Sequence, residues 1–203
     1  MKEYSSIESC PGPLSGNWYL FDKLDGSNIR IEVTKKGIIK FGKRNGLLDD
    51  SYPILKRSID LIKAQEEALM KVFNKIRAEK LTCYFEFYGP NSFAGWHDEN
   101  ELQTCTLIDI DLYKKGLITP KEFISVTEGI INTAKLLYVG NITKPILDEI
   151  SSGTLEGMTF EGVIMKGPIN KYKQPQYYKW KNVNWFEKLK PLCKDDKEFE
   201  MRK

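Results

Sequence analysis

The sequence predicts an α+β domain, on three observations. Short runs alternate apolar and polar side chains as strands do, and two longer stretches repeat their apolar residues at helical spacing. No internal repeat or low-complexity linker divides the chain. With 203 residues, 41% of them hydrophobic and 12% aromatic, the chain suits one domain with a substantial core, running from residue 1 to 203. Its net charge of +3, from 31 basic and 28 acidic residues, excludes a generic nucleic-acid coat, so polyanion binding would need a local cluster of lysines. The four cysteines (Cys10, Cys83, Cys105, Cys193) lie far apart and His97 is the only histidine. A zinc site is therefore not expected, and the thiols fit a reducing, cytoplasmic compartment. No apolar run is long enough for a membrane span, and the polar N-terminus does not read as a signal peptide.

Taken in order, residues 1–16 are irregular, broken by Pro11, Gly12, Pro13 and Gly16. Residues 17–20 read as a strand, and 29–33 as another, because Ile29, Ile31 and Val33 alternate with Arg30 and Glu32. Between them, Phe21-Asp22-Lys23-Leu24-Asp25-Gly26-Ser27-Asn28 reads as a strand–turn–strand hairpin that holds Lys23 on rigid backbone. The same Asp-Gly pair is also an ordinary turn whose neighbouring lysine sits in solvent. A second hairpin turns at Lys35-Lys36-Gly37 and closes at Lys43-Arg44-Asn45-Gly46. Ile59, Ile62, Leu69, Phe73 and Ile76 predict a helix over 58–78 that serves as scaffold. Residues 81–88 and 104–112 read as strands. The loop between them carries His97, either a surface histidine or a phosphate contact. Thr119-Pro120 fits an N-cap followed by a first-turn proline, opening an amphipathic helix over 121–137. A short helix follows over 144–150, then strands over 161–166 and 176–181 joined by a lysine-rich loop, and a closing helix or turn over 185–190.

Glu86, Asp109 and Glu161 each sit in a largely apolar, strand-like run, where a carboxylate is costly unless it meets a cation or a metal. A structural ion pair would satisfy one of them. Three on strands of one sheet predict a shared site. The basic partners available are Lys23, Arg44, Lys166, Lys179 and Lys181. Lys179 and Lys181 are two apart on a strand and project to one face, as a phosphate clamp or a solvated edge.

Lys23-Leu24-Asp25-Gly26, Tyr84-Phe85-Glu86-Phe87-Tyr88-Gly89, Glu161-Gly162-Val163-Ile164-Met165-Lys166 and Lys179-Trp180-Lys181 stand in the order of motifs I, III, IV and V of the covalent nucleotidyltransferases. That superfamily comprises ATP-dependent DNA and RNA ligases and mRNA capping enzymes. The opening Lys2-Glu3-Tyr4-Ser5-Ser6-Ile7-Glu8, and Lys43-Arg44-Asn45-Gly46 in the place of motif Ia, resemble the type 2 RNA ligases, among them phage double-strand RNA ligases and trypanosome RNA-editing ligases. The resemblance covers residues 1 to about 190. It implies a single ATP-grasp-like ligase adenylation domain of antiparallel sheets flanked by helices. No OB domain is expected, since only residues 182–203 follow motif V.

By this resemblance Lys23 attacks the α-phosphorus of ATP, forms a lysyl–AMP and releases pyrophosphate. The AMP passes to a 5′-phosphate end, and a 3′-hydroxyl displaces it to seal the strand. Arg44 would contact the AMP or the incoming 5′-phosphate, and Glu86 the ribose hydroxyls. Glu161, with Glu86, would hold Mg²⁺ or Mn²⁺. Lys179 and Lys181 would grip the α-phosphate, and Lys166 would face the phosphates. Asp22 and Ile108 complete the implied nucleotide-binding set; Ile108-Asp109 stands where the family places an adenine-stacking aromatic before an aspartate. Bringing a lysine from its ordinary pKa to neutrality at pH 7 takes about 4–5 kcal/mol. Arg44, Lys179, Lys181 and a divalent cation push toward the neutral amine, whereas Glu86 and Glu161 push against it, so activation is expected to depend on Mg²⁺ neutralising those carboxylates.

The implied partner is a nucleic acid with 5′-phosphate and 3′-hydroxyl ends, RNA rather than DNA, bound by a monomer in the cytoplasm (of a bacterium, or of a host infected by a phage or virus). Strand contacts would come from the surface around Lys23 and from Lys171, Lys173, Lys188 and Lys190, making binding steeply salt-sensitive. Asp25 stands where type 2 RNA ligases usually carry histidine and DNA ligases carry aspartate, so a minimal ATP-dependent DNA ligase is the alternative enzyme. An mRNA guanylyltransferase is disfavoured by the missing OB domain. A catalytically inactive nucleotide- or RNA-binding module is disfavoured because every matched position carries a competent side chain.

Overall fold

The structure is a computed structural model that describes residues 1–48, 53–90, 100–170 and 174–202. Its first half runs β1 (Glu8–Ser9), β2 (Leu14–Lys23), β3 (Ser27–Thr34), β4 (Gly37–Lys43), α1 (Pro53–Lys63), α2 (Glu66–Ile76), β5 (Lys80–Tyr88), β6 (Thr104–Leu112) and β7 (Gly116–Leu117). The second half runs α3 (Pro120–Thr127), β8 (Leu136–Ile142), α4 (Lys144–Ser152), β9 (Gly162–Ile169), β10 (Pro175–Lys181), α5 (Val183–Leu189), a 3-10 turn at Lys190–Leu192 and α6 (Asp196–Arg202). The strands form two five-stranded sheets, in the orders β1-β10-β9-β2-β8 and β4-β3-β5-β6-β7. Every pairing is antiparallel except that of β1 with β10.

Each sheet has one apolar face covered by its own helices. Ile29, Ile31 and Val33 of β3 join Leu81, Cys83 and Phe85 of β5 in a core closed by Ile62, Leu69, Val72 and Phe73 of α1 and α2. Trp18, Leu20, Val163 and Met165 of the first sheet pack on Leu147 and Ile150 of α4. The two remaining faces turn toward each other and form a cleft, crossed by the bonds from Lys166 on β9 to Ile108 and Asp109 on β6. Among the described residues, no helix is long and apolar enough to cross a membrane.

Three sequence expectations change. Residues 21–28 are not a hairpin: β2 belongs to the first sheet and β3 to the second, so the Asp25-Gly26 turn carries the chain across the cleft. The long helix expected over 58–78 is broken into α1 and α2 around Gln65, whose side-chain amide donates to Leu61 O at 3.2 Å and Cys105 O at 3.1 Å. The helix opened by Thr119 has the expected cap, a full capping box with Glu122, but it ends at Thr127. Gly129 follows in the left-handed region, φ +68°, and 136–142 become an edge strand rather than helix.

Candidate active site

Strand register sets out the cleft in rows. On the first sheet, Lys181, Gly162 and Lys23 lie side by side; then come Lys179, Ile164 and Phe21, and after them Tyr177, Lys166 and Tyr19. On the second sheet the facing rows are Asn28–Glu86–Thr106, Arg30–Tyr84–Asp109 and Glu32–Thr82–Asp111. Because strand side chains alternate, each set of rows projects from one face, cationic on the first sheet and largely acidic on the second. The register of β5 on β6 slips between Tyr84 and Phe85, which leaves Ile108 of β6 as the extra residue of a β-bulge.

Lys23 ends β2. Its amine donates to the Glu161 carboxylate, whose other oxygen accepts from Lys181 at 2.7 Å. The Lys181 amine also rests on the Trp185 ring, 3.9 Å from its centroid. Glu161 itself lies just before β9, and its backbone is clamped from two sides. The Asp22 carboxylate accepts from the Thr159 backbone N–H (3.0 Å) and hydroxyl (2.6 Å). Asn182 donates from its amide side chain to Phe160 O at 2.8 Å and from its backbone to Glu161 O at 3.1 Å, while its side-chain oxygen caps α5. Gly162 is in the left-handed region (φ +136°), and a Cβ there would lie 2.1 Å from Trp180 O, so only glycine allows β10 to close on this corner.

The charges bias one another strongly. Burial would lower the Lys23 amine, but Glu161 and then Glu86 more than reverse this, and it stays protonated above the ordinary lysine range. Burial pushes Glu86 up to about 8, against the pull of Lys23 and of the Gly26 N–H. Glu161 goes the other way: Lys23 and Lys181 overcome its burial and hold it below the usual range. Burial, helped by Lys23, brings Lys181 down to about 8 and Lys179 down in the same direction.

The sequence-derived candidates divide accordingly. Lys23, Glu86, Glu161, Lys179 and Lys181 converge. Arg44 stands exposed at the rim, donating to Ser6 Oγ at 3.3 Å and adding to the positive field on Lys179. Asp109 does not join them, which corrects the expectation of three carboxylates sharing one sheet and one site. Fully buried, it takes the Lys166 amine at 3.0 Å and the Tyr4 hydroxyl at 3.0 Å. Lys166 donates as well to Ile108 O at 2.6 Å. Asp22 points to Thr159 rather than to the Lys23 row, and Ile108 is half-buried beside the core. His97, Lys171 and Lys173 lie outside the described residues. Lys188 and Lys190 are exposed on α5 and the turn after it. Thr159, Asn182 and Ile164 were not singled out from sequence. Asn182 did carry a readable signal, an Asn directly before a helical pattern.

No curated protein matches the chain. The profile of the family described as RNA ligase matches residues 16–183. The chain belongs to the RNA ligase family. Solved structures of Naegleria gruberi RNA ligase share its fold. A glutamate-to-alanine mutant with AMP and Mn superposes with TM-score 0.69 at 16% identity, over 94% of this chain and 58% of that one. A lysine-to-alanine mutant with ATP and Mn gives 0.66 at 17% identity, over 87% and 53%. The same ligase with PPi gives 0.64 at 17% identity, over 86% and 52%. This RNA ligase family chain thus spans little more than half the length of the ligases it resembles, and the fold it shares with them is an α+β domain of antiparallel-rich sheets without an OB domain among its described residues.

Proposed function

We propose that the chain is the adenylyltransferase unit of an ATP-dependent RNA ligase, of the type 2 branch, with Lys23 as its nucleophile. The observation that carries this is a lysine fixed at a strand end between the buried Glu161 and the half-buried Glu86 carboxylates, with one further ammonium group in its own row and another in the next. Three lysines and two acids in one corner of a cleft are more than a single structural ion pair requires. They are the groups that a phosphate-transfer site uses.

The residues divide the labour as follows. Lys181 and Lys179 hold the α-phosphate as its charge grows. Glu86, a double acceptor, takes the ribose hydroxyls. Ile164 and Ile108, half-exposed on opposite walls, flank the base. Arg44 waits at the rim for the 5′-phosphate end. Lys23, once released from Glu161, gives up its proton to water readily because it is half-buried and Lys181 is close. The neutral amine then attacks the α-phosphorus, a P–N bond forms and pyrophosphate leaves. The AMP passes to a 5′-phosphate, and a 3′-hydroxyl displaces it.

A divalent ion fits this corner. Glu86 is a half-buried carboxylate that desolvation raises to about 8, with too little positive charge to offset it, and both acids offer the hard oxygens that Mg²⁺ or Mn²⁺ prefers. Among the described residues no three His, Cys, Asp or Glu side chains cluster, so substrate oxygens and water would complete the shell. Held by Glu86 and Glu161, the ion would supply the positive charge that draws these carboxylates off Lys23. We place the protein in the cytoplasm as a monomer acting on RNA ends.

The deciding experiment is incubation with α-labelled ATP and Mg²⁺ followed by denaturing electrophoresis. Label on the wild type and none on Lys23→Ala is expected; an unlabelled wild type sinks the proposal. Asp25, buried beside Lys23 and Glu86, keeps a DNA-ligase reading in play. Faster sealing of nicked DNA than of nicked RNA would establish it.

A further inference from the structure

At the end of the second sheet away from Lys23 lies a cavity of about 620 Å³, lined among others by Lys2, Lys80, Lys114, Lys115, Tyr113 and Gln174. Its two carboxylates are already answered: Glu32 by Lys80 at 3.1 Å and Asp111 by Lys2. Lys114 and Lys115 have no carboxylate partner among the described residues, so they are surplus charge at the cavity mouth.

These two lysines are presented rigidly. They sit on the turn between Leu112 and Gly116, with Lys114 at φ +63°, a conformation that favours glycine or asparagine. The turn is pinned by Lys115 N–H to Leu112 O (2.9 Å), Tyr113 N–H to Lys80 O (3.2 Å) and the Gln174 amide to Lys115 O (2.9 Å). Beside them the Tyr113 ring is 44% exposed, with the Lys80 and Lys114 amines 4.4 and 5.1 Å from its centroid. Clustered ammonium groups around an exposed ring are the elements with which proteins hold a nucleic-acid backbone without reading its sequence.

The spacing is also suitable. Lys80 and Glu86 stand six residues apart on β5, which is about 20 Å at strand rise. At about 3.4 Å per phosphate along one strand of a duplex, that is roughly six nucleotides. We propose that this cavity is a phosphodiester-binding subsite that holds the substrate strand roughly six nucleotides from the joint. This rests on the ligase reading above and gives that reading the clamp on the strand that the corner around Lys23 lacks.

The test uses the full chain carrying Lys114→Asn and Lys115→Gln, with Tyr113→Ala as a second variant. Asparagine suits the left-handed turn, so the charge is removed without straining the backbone. Binding of nicked RNA duplexes, with arms of either ten or four nucleotides, is followed by fluorescence anisotropy across a salt series. Labelling of Lys23 by ATP alone should stay within twofold of wild type. On long arms the double variant should bind about tenfold more weakly, with the slope of log K against log salt reduced by about two, one for each phosphate left without its ammonium group. On short arms it should match wild type, and Tyr113→Ala should weaken only the long-arm complex. Equal loss on both duplexes, or an unchanged slope, overturns the subsite. A wild type that favours long arms but takes no label from ATP sinks the ligase reading and leaves the subsite standing.

Discussion

Lys23 and Lys166 stand on adjacent strands of the same sheet, on the same face, and each donates to a buried carboxylate. They titrate in opposite directions. Burial lowers the Lys166 amine and Asp109 offsets only part of it, whereas at Lys23 Glu161, Glu86 and Asp25 together overcome burial and raise it. The Lys166 side chain is 3% exposed and boxed by the Phe21 and Phe123 rings, 4.8 and 4.7 Å from its amine, while the Lys23 side chain is 20% exposed. An ion pair alone therefore does not mark a reactive lysine. What sets Lys23 apart is the set of carboxylates, Glu161, Glu86 and Asp25, that hold its proton and could be drawn off by a cation, together with a side chain that is partly open to solvent.

The sharpest break of this contrast is Lys23→Arg. It keeps the charge but raises the pKa beyond reach, so labelling by ATP should drop at least a thousandfold while melting changes little. Lys166→Met should do the reverse. It strands Asp109 as a buried, unpaired charge, a loss of about 3–5 kcal/mol in stability. Adding Asp109→Leu should restore most of the melting temperature; failure to restore it would mean that the lysine's role is not pairing.

Two pH experiments sharpen the comparison further. Glu86 titrates near 4.5 when unfolded and at about 8 when folded, so wild-type stability is lost progressively as pH rises from about 4.5 to 8. Glu86→Gln lacks this loss, and its melting temperature relative to wild type should climb through that window and then level off. A constant offset would show that Glu86 ionises freely in the fold. Lys181, at about 8, keeps its charge below that pH and loses it above. The rate of Lys23 labelling at low ATP should consequently fall on the alkaline side, and Lys181→Arg, which stays charged, should move that limb upward.

The smallest effect expected is at the clamp behind Glu161. Asn182→Ala removes a helix cap and the hold on Phe160 O, costing about 1 kcal/mol. Labelling should slow several-fold through the chemical step, with the KM for ATP little changed, because Glu161 loses its place while the groups that hold the nucleotide remain.

Much of the molecule was legible beforehand. The alternation of Ile29, Ile31 and Val33 gave β3, Thr119-Pro120 gave the start of α3, and the spacing of Lys179 and Lys181 put both on the cleft face. What escaped were long-range decisions. The stretch 21–28 has the local pattern of a hairpin, and only the pairing of Ser27 with Phe87 and of Lys23 with Gly162 assigns its halves to different sheets. Residues 136–139 are apolar enough for either period, and the vacant edge beside β2 makes them a strand. Asp109 and Glu86 look alike in sequence. The bulge at Ile108 and the arrival of Tyr4 and Lys166 separate one from the other, and neither is a local property.

Gly26, where the chain passes from one sheet to the other, sets how closely the crossing turn can lie against β5. A Cβ at that point would lie 2.3 Å from Phe87 O and 2.9 Å from Tyr88 Cβ. One methyl group would act there as a wedge, pushing the crossing turn off β5, the strand that carries Glu86. How closely that turn lies on the second sheet is thus fixed by the thinnest residue in the alphabet. A displaced turn would disarm the corner around Lys23 without altering any of its charges.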